Sequence, residues 1–278
     1  MLVCAMGPPG GGKSVITPRF QRHFNTISFS FTDENTMKSI FTSILSYYFR
    51  TGGFNPEVSG MNEKIVMATL NVYKRIGEDL RPTPVKSHYT FNLRDVSKVI
   101  CGFCSIGKEA LTNSDVGIRL WAHETVRVFG DRLVNDTDRK WMMGAITECV
   151  RAPFGAQFDI LFKHLDNNRD QKVDTLDEFR GLLFGDIYTP FGMPEREYTE
   201  LLDTDRMKSC ANNALDQYNG NTDKPMQLVL FNFAIEHLLR ICRIIKQPNG
   251  HALLVGVGGS GRQSLTRLAS KIPDYDVF

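Results

Sequence analysis

One stretch near the C-terminus constrains the fold more than any other. An apolar run, Ala252-Leu253-Leu254-Val255, leads into Gly256-Val257-Gly258-Gly259-Ser260-Gly261-Arg262-Gln263-Ser264, and Leu265-Thr266-Arg267-Leu268-Ala269 follows. The apolar run reads as a buried strand and the glycines as a tight loop. From Ser264 onward the pattern reads as a helix with Leu265 and Leu268 on one face. In that order, backbone N–H groups and an electropositive helix N-terminus converge on one anion. Gly256 and Gly261 stand at the spacing of a Walker A loop, in the strand–loop–helix context such a loop requires. The expectation is a nucleotide-binding loop over Gly256 to Ser264. Its rival is a glycine-rich turn with no ligand.

The loop departs from the ideal pattern. Arg262 replaces the Walker lysine, and its planar fork is bulkier than an ammonium. Gln263 replaces the Ser/Thr that ligates Mg²⁺, and it offers only a neutral amide oxygen to a geometrically strict ion. Ser264 sits one place late. Nucleotide binding is compatible with these changes, and efficient hydrolysis is not implied.

A second segment, Met6-Gly7-Pro8-Pro9-Gly10-Gly11-Gly12-Lys13-Ser14, fits GxxxxGK[ST] better by letter. Its context is wrong for a phosphate loop. Pro18 would fall inside the helix that the lysine should open, and proline there costs about 3 kcal/mol. Pro8 and Pro9 lack the N–H groups that a phosphate cradle uses. The preferred reading is a strand over Leu2 to Ala5, a Pro/Gly loop, and a short helix carrying Arg19 and Arg22. A true phosphate loop is the rival.

Between these segments the pattern is helical. Thr32 is expected to cap a helix with Met37, Ile40, Phe41, Ile44, Leu45, Tyr48 and Phe49 on one wide buried stripe, closed by Gly52-Gly53. Further helices are expected over Met61 to Ile76, Leu93 to Cys104 and Ile118 to Leu133. Residues 134–225 are less periodic and read as short helices and connections. A long amphipathic helix is expected from Met226 to Ile245, stopped by Pro248-Asn249-Gly250.

Composition narrows the function classes. The chain has 278 residues, of which 42% are hydrophobic, enough for a core in one or two domains. No apolar run reaches the roughly 18 residues of a membrane span. The N-terminus carries no basic-then-apolar leader. A net charge of +2 argues against nucleic acid or a membrane as an electrostatic partner. The expectation is a soluble, intracellular chain. Cys101 and Cys104 form the one close cysteine pair, but they lie within a helical pattern and no second pair stands at zinc spacing. Ordinary thiols are favoured over redox or metal chemistry. Asp166, Asn168 and Asp170 imitate the start of a calcium loop, with Val173 at its apolar position. Gln171 stands where glycine should turn the chain, and Asp177 where a bidentate glutamate should close it. A solvated acidic turn is favoured there, and no metal site is expected.

At this point longer motifs carry a resemblance. The run Glu236-His237-Leu238-Leu239-Arg240-Ile241-Cys242-Arg243-Ile244, through Gln247-Pro248 to the loop and Ala269, resembles the fourth AAA+ module of axonemal dynein heavy chains. The run from Met6 to Asn25 with Pro18-Arg19-Phe20-Gln21-Arg22-His23-Phe24-Asn25 looks like the end of the third module. Ser87-His88-Tyr89-Thr90-Phe91-Asn92-Leu93-Arg94-Asp95 and Leu120-Trp121-Ala122-His123-Glu124 also match. The resemblance covers almost the whole chain.

The resemblance implies a mainly α fold with a minor α/β part: an AAA+ helical lid, then the first strand, P-loop and helix of a P-loop NTPase domain. Residues 1–24 would end the third large subdomain, 25–135 would be its lid, 136–225 a helical connection, and 226–278 the start of the fourth module. Gly7 to Ser14 would follow a sensor strand and bind no phosphate. Arg22, with Arg19, would lie in the arginine-finger region, reaching the nucleotide of a neighbouring module. Their rival is a surface or salt-bridge role. Arg94 resembles the sensor-two arginine, with a structural ion pair as its rival. ATP or ADP with Mg²⁺ is the implied cofactor of the parent. The implied partners are the neighbouring AAA+ modules, with microtubules and other dynein subunits reached through the parent, in the cytoplasm and the axoneme of a cilium or flagellum. No complete ATPase site is expected within the chain, so turnover belongs to the parent. The alternative is a stand-alone, non-catalytic helical module that binds a partner or a nucleotide.

Overall fold

The computed structural model describes residues 1–278 except 8–14, 30–31, 167–172, 174, 191, 194 and 278. Local capping chemistry sets most of the helix starts. The short α1 (Pro18–Gln21) has proline in its first turn and buries no residue. In α2 (Glu34–Gly52) the cap is Asp33 rather than the expected Thr32, because its carboxylate accepts from both the backbone N–H and the hydroxyl of Thr36. Gly53 closes it in the left-handed conformation. After the single turn α3 (Pro56–Ser59) comes α4 (Asn62–Asp79), which buries Ile65, Ala68, Leu70, Val72 and Ile76 as its periodicity requires. Asn92 and Asp95 form a reciprocal capping box at the start of α5 (Leu93–Phe103). Asn113 caps α6 (Ser114–Val128), which starts and ends earlier than the expected 118–133; a tight 3₁₀ turn, Gly130–Arg132, takes the remainder. Asn135 caps α7 (Asp136–Cys149), which runs on into a π-helical turn, Val150–Phe154, where Pro153 cannot donate to the regular ladder.

Helices α2 to α7 and α8 (Phe158–Leu161) share one core, centred on Leu45, Ile65, Ile100, Phe103, Trp121 and Ile146. Trp121 donates its indole N–H to the Thr69 hydroxyl at 3.0 Å, so the largest buried side chain is also satisfied. The α2 stripe is narrower than expected. Phe41, Leu45 and Phe49 face inward, whereas Ile40 and Ile44 are 47% and 44% exposed.

A second core gathers α9 (Thr204–Gly220), α10 (Asn232–Lys246) and α11 (Arg262–Lys271), with Ile187 and Leu201 from the preceding connection. The expected helix from Met226 begins only at Asn232. The Asn219 side-chain amide accepts from the Met226 N–H and donates to its carbonyl, which clamps the segment ahead of α10 in an extended form. Between the cores lies a two-residue antiparallel ladder, β1 (Phe184–Gly185) with β2 (Thr199–Glu200).

The two expected strands, Leu2 to Ala5 and Ala252 to Val255, pair with nothing and form no regular element, and β1 and β2 are the only strands among the described residues. A strand is stabilised by ladder partners and a covered face, and neither is present: Leu253 is 90% exposed and Val255 85%. Most of the Gly7 to Ser14 segment and the centre of the calcium-like turn lie outside the described residues. Among those described, no group of side chains could hold a metal ion and no helix is long and apolar enough to cross a membrane. All six cysteines are free; burial raises Cys104 to about 12, which leaves it unreactive.

Candidate nucleotide-binding site

The glycine loop ends where α11 begins. Gly261, at φ +75°, is the residue before the first helical turn, and Gly259 is also left-handed at φ +78°. A β-branched side chain resists that conformation, so glycine is required where the loop turns into the helix. Arg262, Gln263 and Ser264 form the first turn of α11, and no side chain caps their N–H groups. Those residues border a cavity of about 820 Å³ lined also by Leu254, residues 258–261, Thr266, Arg267 and Val277. The Arg262 guanidinium folds back over the loop and donates to the Val257 carbonyl at 3.2 Å. The base of the site is firm. Leu268, Ala269 and Ile272 are buried against α10, and the Cys242 thiol reaches the Ala269 carbonyl at 3.6 Å.

This arrangement offers an anion three uncapped N–H groups, a helix N-terminus and a movable guanidinium. Such chemistry suits a phosphate group better than Mg²⁺, because Gln263 is exposed and carries only an amide where a hydroxyl is needed.

The other expected site residues lie elsewhere. Arg19 and Arg22 are exposed on and just after α1, and Arg22 Nε stands 3.3 Å from His23 Nε2. Arg94 is exposed in the first turn of α5 and forms no ion pair among the described residues; its neighbour Asp95 takes Arg132 instead. None of these three lines the cavity.

A buried ionic cluster between α6 and α10 was missed. Glu124, fully buried on α6, accepts from Arg243 Nε of α10 at 3.0 and 3.2 Å and from the Tyr198 hydroxyl at 2.9 Å; Arg243 Nη2 makes a further contact. Burial alone would lower Arg243, but Glu124, by charge and hydrogen bond, outweighs it and raises it. Gly102 of α5 admits the carboxylate, since a Cβ there would collide with it. Outside this cluster, Arg119 holds Glu200 with two hydrogen bonds, of 2.6 and 2.8 Å, and Arg180 donates to Glu236 at 3.0 Å. The two cores are therefore joined by paired charge as well as by packing.

His123 gives this junction a pH dependence. Its Nδ1 lies 2.9 Å from the Leu182 carbonyl, its Nε2 has no hydrogen-bond partner and stands 3.9 Å from Glu124 Oε1, and burial, with Arg127 and Arg243 adding, holds it well below the ordinary 6.5. The folded state keeps the ring neutral while the unfolded chain protonates it near pH 6.5. Stability is thus full above 6.5 and falls as pH drops below it, by about 1.4 kcal/mol per pH unit. Denaturant titrations at pH 5 and 7 should show that loss. His123→Asn, which retains the donor to Leu182, should flatten it; an unchanged slope would assign the effect to other groups.

A helical lid followed by a glycine loop at a helix N-terminus is the pattern of the end of one AAA+ P-loop module and the start of the next. Comparison with known proteins agrees. Residues 65–162 match the AAA+ lid domain, 226–278 the P-loop containing dynein motor region D4, and 1–32 another P-loop containing dynein motor region. The chain is 45% identical to mouse dynein axonemal heavy chain 12 over all 278 residues, 40% to human dynein axonemal heavy chain 3 and, over 99% of its length, 40% to human dynein axonemal heavy chain 1. It spans 9%, 7% and 6% of those relatives. The chain belongs to the axonemal dynein heavy chain family.

Proposed function

We propose that the chain supplies a lid and a nucleotide-binding loop to the AAA+ ring of an axonemal dynein heavy chain, an ATP-driven microtubule motor of the cilium or flagellum. The observation that carries this reading is the uncapped first turn of α11 opening on a cavity behind left-handed Gly259 and Gly261. Gly256 to Ser264 hold ADP or ATP through the phosphates. The nucleotide brings the phosphoanhydride bond, while the chain's own groups orient and neutralise its charge. Arg22, with Arg19, serves a neighbouring module's nucleotide as an arginine finger. Arg94 serves the third module's nucleotide, and its lack of an ion pair among the described residues favours that role over a structural one.

The division we propose follows core membership. Residues 1–24 close the third module's large subdomain. The lid begins near residue 25, and its core runs past 135 through α7 and α8. The packing of the fourth module starts near Ile187, ahead of residue 226, because α9 shares the core of α10 and α11. Crystals soaked with ADP test the site. Phosphate density should appear at Gly256 to Ser264. Density at Lys13 instead would reverse the ranking of the two glycine segments, and density at neither would favour a module that acts without nucleotide.

A further inference from the structure

Mg²⁺ is the group that the donors of the glycine-loop site do not fit. A phosphate loop ordinarily gives the ion a hydroxyl from the residue after its lysine. Gln263 stands at that place with an exposed amide. Ser264 does not substitute for it, because one residue along a helix turns a side chain by about 100°. Of the other hydroxyls on the cavity, Thr266 donates to the Arg262 carbonyl at 2.8 Å. Ser260 lies beside Gly256, where a Cβ would come within 3.1 Å of its oxygen. No carboxylate or imidazole lines the cavity among the described residues, and Asp274, just beyond α11, is held by Lys271 at 2.6 Å.

The cavity has positive charge instead. Arg262 and Arg267 both line it, and neither forms an ion pair among the described residues. The Arg262 stem runs close over Gly256: a Cβ there would stand 3.4 Å from its Cδ, and the guanidinium reaches the Val257 carbonyl at 3.2 Å. Its charge therefore lies against the loop backbone. Arginine stays protonated at any working pH, so this charge is permanent. A free nucleoside diphosphate carries more negative charge than its Mg²⁺ complex. A site of guanidiniums and N–H groups without a carboxylate favours the more negative species.

We propose that this site takes its nucleotide free of metal, as the bare nucleoside di- or triphosphate, with Arg262 and Arg267 supplying the positive charge that Mg²⁺ supplies in other phosphate loops. The proposal rests on the nucleotide reading of the glycine loop and goes beyond it by naming the bound species.

The test titrates fluorescent ADP with the 278-residue chain at constant pH and ionic strength, once with excess MgCl₂ and once with EDTA. Affinity with EDTA should equal or exceed that with Mg²⁺. Gln263→Thr, which restores the missing hydroxyl, should reverse the order, with ADP about tenfold tighter in Mg²⁺. Arg267→Gln, at an exposed position, should weaken binding in EDTA by about three- to tenfold. Tighter binding with Mg²⁺ than with EDTA by the unsubstituted chain, or unchanged affinity in EDTA after Arg267→Gln, would overturn the proposal and leave the nucleotide reading standing. ADP bound in neither buffer would overturn the nucleotide reading itself, and the proposal with it.

Discussion

Glu124→Ala should cost about 3–5 kcal/mol of folding stability, the largest single effect expected away from the hydrophobic cores. The reason is burial on both sides of the pair. Glu124 is 0% and Arg243 9% exposed, so removing the carboxylate strands a guanidinium and leaves the Tyr198 hydroxyl without its acceptor. Water cannot reach either group to compensate. For a chain of this size the loss corresponds to a melting temperature lower by roughly 10 °C. Gly102→Ala should act in the same direction, because its methyl would push the carboxylate aside. The double variant Glu124→Leu/Arg243→Met should recover much of the loss, since no uncompensated charge then remains. Thermal and denaturant unfolding of the four proteins decides the matter. If Glu124→Ala unfolds within 1 °C of the parent chain, the pair does not join the two cores.

The sequence made the helices with wide apolar stripes legible. In α4 the buried residues recur at helical spacing over 18 residues, and Asn92 with Asp95 announces α5. The elements it hid have physical reasons for being hidden. Helix α9 buries only Met207, Ala211 and Leu215, one residue per turn, so its pattern is too thin to stand out among polar neighbours. Helix α7 has a usable signal in Asn135 ahead of Asp136 and Asp138, but it falls in the weakly periodic stretch that reads only as short helices and connections. The start of α10 was displaced by the Asn219 clamp, a contact between segments that no local pattern carries.

The candidate site divides in the same way. The loop was legible because its chemistry is local: glycines for the left-handed turns, then a helix start. The Glu124–Arg243 pair was not, although both residues stand in runs that carried the family resemblance. Their partnership spans 119 residues of sequence and depends on Gly102 from a third helix. Burial of a charge cannot be read from a pattern that shows only its polarity. Ala252 to Val255 shows the reverse limit. Its residues prefer a buried strand, but a strand exists only with neighbours, and the described residues supply none.

Arg262→Ala should weaken ADP binding by about 10- to 100-fold, the range expected from losing one or two charge-assisted hydrogen bonds to phosphate. The guanidinium already bends over the loop to Val257, so it reaches the phosphates by exchanging one carbonyl for a stronger acceptor. Arg262→Lys should recover part of the affinity, since an ammonium supplies the charge but not the fork. Gly261→Val should be at least as damaging while leaving the charge intact, because valine resists φ +75° and would tilt the first turn of α11 away from the cavity. Turnover is a separate matter. Arg22 and Arg94 do not line the cavity, and Gln263 gives Mg²⁺ a poor ligand, so the 278-residue chain should release no phosphate from ATP above background. Fluorescent-ADP titration of the three variants measures the first set, and a phosphate-release assay measures the second. Equal ADP affinity in Arg262→Ala and the parent chain would remove the arginine from the site. Phosphate release that vanishes with Arg262→Ala would show instead that the loop and its immediate surroundings suffice for hydrolysis.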